Sequence, residues 1–395
     1  MNAPKGQQPS IVKIDLTPVY VPFKEEILNM MKAGEGGIGM ALKTENEWQG
    51  GDFVIAELTT DSGHVGVSEC FLWLPETGAS PHTVITTIKD CLAFCALGES
   101  PFDIHKINQR MEQNLAINEV AKGLIDTACY DLMGKISGRP AHDFMGGCVE
   151  KEIPLSGLIG LMGPKEMISI AMIQKTLGFK TIRYKLGKSI QEDIKITAGL
   201  REHLGDDMRL RVDYNQAYSR TEAVKAIQAI EPYGIDYAEQ PISVHDPIGM
   251  AYVQKRVNTP LMAHEGCFGL RDIIMLSEIK GVQVVGINQE RPGGITKALK
   301  AIDYAQSRGL QVALHNQPLG IGSATMLHIA ASRYHAIQHA TELMGSYMLE
   351  NDLVKKPLTY TNGFAKVPEG PGLGVELDHA QLETYATGKK ITISA

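Results

Sequence analysis

The chain has no excess of positive charge. Its 395 residues carry a formal net charge of −7 and a pI of about 6.0. A nucleic-acid binder needs clustered cations to release counterions from phosphates, so that class finds no support. No run of about 18 apolar residues occurs, and no membrane-spanning helix is expected. The opening MNAPKGQQPS lacks the apolar core of a secretory leader. None of the six cysteines (Cys70, Cys91, Cys95, Cys129, Cys148, Cys267) forms a CxxC pair. Cys91 and Cys95 stand at i, i+4 in an apolar helix-like stretch, where reduced core thiols are the expectation. The chain therefore reads as cytoplasmic. No GxGxxG opens a helix after a strand, so a dinucleotide fold gets little support. The glycine-rich KAGEGGIGMALKTENEWQGG matches no phosphate-loop spacing and reads as a mobile loop between strands.

What is present is ordinary globular composition, 44% hydrophobic and 21% charged, in a length that suits two domains or one large barrel with additions. IVKIDLTPVYVPF alternates apolar and polar residues, as a strand does. FVIAELTTDSGHVGVSEC reads as a hairpin turning at DSGH. Residues 81 to 140 are helical in pattern, and the last helix stops at Gly138 before Arg139-Pro140. The first 140 residues are thus an α+β unit.

From about residue 150 short apolar runs alternate with helix-like segments, the pattern of parallel βα units. The runs are IPLSGLIG, TIRYKLG, MRLRVDYNQ, IDYAEQPI, PLMAHEG, VQVVGINQ and LQVALHNQ. Six of them end in a polar residue: Lys185, Asp213, Glu239, Glu265, Asn288 and His315. By subtraction these are 28, 26, 26, 23 and 27 residues apart, close to one βα unit each. In a (β/α)8 barrel all strand C-termini share one face, so these residues would converge there. An open sheet would spread them along a line.

Asp213, Glu239 and Glu265 fall on three successive strands. Three close carboxylates repel unless a cation neutralises them. All-oxygen ligands suit Mg²⁺, with Mn²⁺ as the alternative. Each acid alone reads as an ordinary strand-end group facing water; the three in register favour a metal. Lys185 precedes this triad and His315 follows it, so the two bases could flank a substrate carbon. A metal on the substrate carboxylate would stabilise the enolate formed when the α-proton leaves. Arg183 lies two residues before Lys185 and so shares its side of the strand. A neighbouring cation helps Lys185 shed a proton, as a base must. The plainer reading of Lys185 is a surface lysine paired with an acid.

Together these residues resemble the enolase superfamily, in its mandelate racemase/muconate lactonizing group. The marks are Arg183-Tyr184-Lys185-Leu186-Gly187, where the family pattern is K-x-K-x-G, then Asp213 and Asn215 in VDYNQAY, and Glu239 in YAEQPI. Glu265 in MAHEGCFG, Gly293-Gly294 in RPGGITKA and His315 in ALHNQ complete them. The hairpin ending GHVGVSE resembles the family's cap. The resemblance implies an α/β fold: a modified TIM-type (β/α) barrel, residues 141–349, with an N-terminal α+β capping domain. That cap would be residues 1–140, completed by about 350–395. It implies one Mg²⁺ on Asp213, Glu239 and Glu265, with Lys185 and His315 as acid/base residues. Asn215 would sit near the ligands, Glu342 in HATEL would bond the substrate carboxylate, and the loop from about Pro22 to Gly51 would be a specificity lid. It also implies a homo-oligomer.

Three departures qualify the match. Arg183 replaces a lysine, keeping charge but not shape. His264 stands where the pattern more often has a small or acidic residue, and reads as a support to the site. Asn288 occupies the position of an aspartate behind the histidine or of a second lysine base, and an amide cannot stabilise imidazolium. The preferred reaction is dehydration of a hydroxy acid or acid sugar, with Lys185 taking the α-proton and His315 protonating the departing hydroxyl. The alternatives are a racemase or epimerase, a cycloisomerase, a Schiff-base barrel using Lys185, and a catalytically silent barrel that binds a carboxylate. Lys24, Glu25, Glu26, Trp48 and Phe53 are candidates to set specificity from the cap.

Overall fold

The computed structural model describes residues 8–33, 48–316 and 318–395. Eight parallel strands pair in chain order: Ser156–Ile159, Thr181–Lys185, Arg209–Asp213, Ile235–Glu239, Leu261–Ala263, Val284–Ile287, Gln311–Asn316 and Glu342–Leu343. The sheet closes on itself. Ser156 N–H donates to Thr341 O at 2.9 Å, and Thr341 N–H to Pro154 O at 2.8 Å. One helix fills each of the seven intervals: Pro164–Thr176, Ile190–Leu204, Arg220–Ile230, Pro247–Gln254, Leu270–Glu278, Ile295–Ser307 and Gly320–Arg333. Several starts are written in the sequence. Ser189 and Ser219 accept the N–H of Glu192 and Glu222, and Glu222 returns a bond to Ser219 as a capping box.

The run IPLSGLIG divides in two. Glu152–Pro154 joins a small antiparallel sheet with Phe364–Lys366 and Tyr360–Thr361, and only Ser156–Ile159 enters the barrel. At the N-terminus, Ile11–Pro22, Gly50–Thr60 and Val65–Leu72 form an antiparallel sheet, and the last strand, Ile391–Ser394, adds to its edge. The segment after Pro22, expected to be irregular, starts as a helix, Glu25–Ala33. Glu25 and Glu26 occupy its first turn, where negative charge favours the helix dipole. Residues 34–47 of the expected lid lie outside the described residues. Trp48 packs against Phe23 and Trp73, with ring centroids 5.0 and 5.5 Å away. Phe53 is buried in the sheet, and Lys24 Nζ donates to Ser346 O at 2.8 Å.

The helix Glu119–Ser137 is buried continuously from Val120 to Gly134 because it lies between this sheet and the barrel. Its contact with the barrel explains Gly293-Gly294. A Cβ on Gly123 would stand 2.8 Å from Gly294 N, and both barrel glycines have φ near +100° (100° and 97°). Asp126 then accepts Thr296 N–H at 2.9 Å, at the start of the barrel helix Ile295–Ser307. A second tie runs from the hairpin. Glu69 accepts Leu319 N–H at 2.6 Å and Ile321 N–H at 3.0 Å, capping the helix Gly320–Arg333. Among the described residues no helix is long and apolar enough to cross a membrane. All six cysteines are unpaired, with Cys95 buried and Cys91 partly so.

Candidate active site

Strand alternation decides which side chains enter the barrel. Tyr237, Met262, Val284 and Ala313 form an apolar cluster separate from the main core. Two residues further along the same four strands come Glu239, His264, Gly286 and His315. Strand pairing puts Lys185 beside Asp213 and Asp213 beside Glu239. Five of the six expected strand ends thus meet at one mouth: Lys185, Asp213, Glu239, Glu265 and His315 are all buried there.

Arg183 lies at the centre of the cluster. Its Nη2 is 2.6 Å from both Asp213 Oδ2 and Glu239 Oε1, its Nε 2.7 Å from Glu239 Oε2, and its Nη1 3.5 Å from Glu342 Oε1. Its charge goes to the carboxylates rather than only to tuning Lys185. Lys185 Nζ donates to Asp213 Oδ2 at 3.1 Å and to Asn215 Oδ1. Asp213 Oδ1 accepts Asn215 N–H at 2.9 Å, so both its oxygens are engaged.

Burial opposes ionisation of Asp213, yet Arg183 and Lys185 hold its carboxyl below the usual range. Burial pushes Glu239 up against the pull of Arg183, and Asp213 adds repulsion. Burial and Asp213 push Glu265 up. Burial, with Arg183 and Arg291 among the nearby charges, pushes His315 far below its usual value and keeps it neutral. Five carboxylates at or beside the mouth, Asp213, Glu239, Glu265, Glu342 and Glu76, outnumber the four cations Arg183, Lys185, Arg211 and Arg291. Glu265 Oε2, Glu342 Oε2 and His315 Nε2 are buried with no hydrogen-bond partner among the described residues. Anions in excess and oxygens without donors fit a divalent cation.

The contact between the two imidazoles is the part the sequence did not announce. His264 and His315 stack with centroids 3.7 Å apart and planes at 47°. Gly286 between them makes this approach available: a Cβ there would stand 3.2 Å from His315 Nε2 and 3.3 Å from His264 Cδ2. His264 Nδ1 lies 3.4 Å from Glu239 Oε1 and 3.3 Å from Glu265 Oε2. His315 Nε2 is 3.9 Å from Glu239 Oε1, and its Nδ1 is 4.0 Å from Glu342 Oε1. Among the described residues, Glu239, His264 and His315 offer ligand atoms all within 4.8 Å of one another. Asn288 Oδ1 accepts Arg291 N–H at 2.9 Å in a local turn.

Two glutamines were also missed. Gln216 Nε2 donates to Glu265 Oε1 at 3.1 Å, and Gln240 Oε1 accepts the N–H groups of His264 at 3.3 Å and Gly266 at 3.2 Å. Asn215, Gln216 and Gln240 have φ of 41°, 65° and 34°, and such backbone strain gathers at functional sites. Their signal was the repeated strand-end amide in YNQ and AEQ. From the N-terminal unit, Glu76 reaches Arg291 Nη1 at 3.2 Å, and Arg291 Nη1 also donates to His264 O at 2.7 Å.

Known proteins carry the same architecture. Residues 168–381 match the family described as enolase C-terminal domain-like, and residues 32–146 match the N-terminal domain of mandelate racemase/muconate lactonizing enzymes. The hydrophobic dipeptide epimerase of Enterococcus faecalis is 33% identical over 333 residues, which is 82% of this chain and 91% of that one. The N-succinyl Arg/Lys racemase structure from Bacillus cereus superposes with a TM-score of 0.87 at 26% identity, covering 97% of this chain and 100% of that one. The E. faecalis dipeptide epimerase complexed with Mg and the dipeptide L-Leu-L-Tyr gives 0.84 at 30% identity, covering 94% and 100%. Muconate cycloisomerase 1 of Acinetobacter baylyi is 28% identical over 338 residues, 84% of this chain and 90% of that one. With its own barrel, its cap and the mouth they enclose, the chain is an enzyme that belongs to the mandelate racemase/muconate lactonizing group of the enolase superfamily.

Proposed function

We propose that the protein is a racemase or epimerase that removes and returns the α-proton of a small carboxylate, in the class of N-acylated amino acids or dipeptides. One observation carries the reading: Lys185 and His315 approach the same carboxylate cluster from strands three apart around the closed barrel. Neutral His315, whose Nε2 has no partner among the described residues, takes the proton from one face of the α-carbon, and the Lys185 ammonium delivers one to the other. The opposite isomer runs through the same two groups with their protonation states exchanged. Arg183 keeps the carboxylates beneath from repelling the anionic substrate. Asn215 orients the Lys185 ammonium through its side-chain oxygen, and Glu342 lies beside His315 to receive the substrate's polar end. Asp213, Glu239 and Glu265 are the carboxylates that would hold a divalent cation, Mg²⁺ in the first instance, and such a cation supplies charge stabilisation to the enolate. The relatives named as epimerases and racemases support this choice over dehydration.

Dehydration of a hydroxy acid is the second reading. Asn288 favours it, because the wall facing Lys185 offers an imidazole and no second lysine. The test is proton NMR in D₂O with both enantiomers of N-acyl amino acids and dipeptides, and with hydroxy acids and acid sugars. Wild type should exchange the α-proton and interconvert the isomers. His315→Asn should exchange it from one isomer only, and Lys185→Ala from the other only. Accumulation of a 2-keto acid would replace this reading with dehydration. No exchange with any compound would overturn both.

A further inference from the structure

We propose that His264 is a metal ligand, so that the cation at the barrel mouth is held through a nitrogen and the site selects a transition-metal dication over Mg²⁺. The inference rests on the mouth being the reaction site, and it changes the ligand set named there.

Strand parity is the first ground. On Leu261–Ala263 the inward positions are those of Met262 and, two on, His264. Glu265 has the opposite parity and reaches the mouth only because the chain turns after the strand. Glu239 pairs in register with Met262, and the next inward position after Met262 is the imidazole, 3.4 Å from Glu239 Oε1. The second ground is distance. Donors bound at about 2.1 Å stand about 3.0 Å apart in an octahedral shell and about 3.4 Å apart in a tetrahedral one. His264 Nδ1 is 3.4 Å from Glu239 Oε1 and 3.3 Å from Glu265 Oε2, as the shared vertex of two such edges. The third is the orphaned oxygen: Glu265 Oε2 is buried and has no hydrogen-bond partner among the described residues. Asp213, by contrast, has both oxygens engaged by Arg183, Lys185 and Asn215 N–H.

His315 also offers a nitrogen within 4.8 Å of ligand atoms of Glu239 and His264. Its Nε2 stands further from Glu239 Oε1, at 3.9 Å, and remains free for the substrate. Imidazole nitrogen is a good ligand for Fe²⁺, Ni²⁺ or Zn²⁺ and a poor one for Mg²⁺, which prefers six oxygens; Mn²⁺ lies between, favouring oxygen but accepting nitrogen. The ring is held in place. Gln240 anchors the His264 N–H, Arg291 binds its carbonyl, and Gly286 leaves room for the stacked ring.

Pulsed electron paramagnetic resonance of the full-length protein with bound Mn²⁺ and no substrate tests this directly. Wild type should show ¹⁴N modulation from a coordinated imidazole, and calorimetry should show Mn²⁺ binding at least tenfold tighter than Mg²⁺. His264→Asp should bind Mn²⁺ without the ¹⁴N signal and shift the preference toward Mg²⁺ by tenfold or more. His315→Asn should keep the signal. A bound Mn²⁺ with no ¹⁴N coupling in wild type would overturn the proposal, as would loss of the coupling in His315→Asn alone or no Mn²⁺ binding at millimolar concentration. The wild-type spectrum needs no folded variant. Because substrate is absent, failure here leaves the proton-exchange reading to its own test.

Discussion

Arg183 bridges Asp213 and Glu239 with a single nitrogen, Nη2, at 2.6 Å from each carboxylate. Removing it leaves two buried anions face to face. Arg183→Met should therefore lower stability by about 3–5 kcal/mol, the usual result of breaking a buried ion pair from one side. Arg183→Lys should cost less, since it keeps the charge and loses the two-pronged geometry. Urea unfolding measures both. Added divalent cation should recover part of the loss in Arg183→Met, because it binds only the folded state. A methionine variant as stable as the parent would show that the carboxylates are not both charged.

Lys185 is an acid/base residue on which both proposed reactions depend. Lys185→Ala should reduce turnover about 10²- to 10⁴-fold, the range for loss of a positioned acid/base group. Steady-state rates against a substrate found by the exchange screen give the number. The unfolding midpoint should move less than in Arg183→Met, since Asp213 keeps its bonds from Arg183 and Asn215 N–H. Unchanged turnover would assign proton abstraction to another group.

Much of this site was legible because barrel strands place their last residues on one face. A period near 26 residues carried Lys185, Asp213, Glu239, Glu265 and His315 to the mouth without knowledge of any contact. The period counts residues, however, and not orientation. It could not separate Glu265 from His264, which differ by one position and therefore by one face of the strand. Parity could have done so, had the inward phase of PLMAHEG been fixed from Met262. Gly286 carried no signal, because a glycine's role is to leave space for partners distant in the chain. Gln240 and Arg291 act through backbone groups of the His264 turn, and no spacing rule reports that. The helix Glu25–Ala33 was hidden by the glycines that follow it.

Glu69 ties the N-terminal sheet to the barrel through two N–H groups at the start of the helix Gly320–Arg333. Glu69→Ala strands both donors in a buried interface. The expected loss is about 1–3 kcal/mol, read as a lower urea midpoint. Glu69→Gln keeps one acceptor and should lie between. If alanine is neutral at this position, water has replaced the carboxylate and the tie is not a fastening.

Acid should weaken the fold through His328. Its ring is fully buried on the helix Gly320–Arg333, and its Nε2 donates to Leu373 O at 3.2 Å. Burial pushes it down to about 4, against the pull of that carbonyl. In the unfolded chain a histidine takes its proton near pH 6.5. Between about pH 6.5 and 4 the unfolded state therefore binds a proton that the folded state refuses, and stability falls as pH falls. The contribution is complete above the upper limit and lost at the lower. At 1.36 kcal/mol per unit the window amounts to about 3 kcal/mol. His339, pushed down to about 3 by burial and by Arg211, adds in the same direction. His328→Gln keeps a donor for Leu373 O and cannot titrate, so its urea stability should fall less steeply between pH 6.5 and 4.5. The slope should not vanish, because His339 remains. An unchanged slope would mean that His328 already carries its proton in the folded protein, with the Leu373 carbonyl outweighing burial.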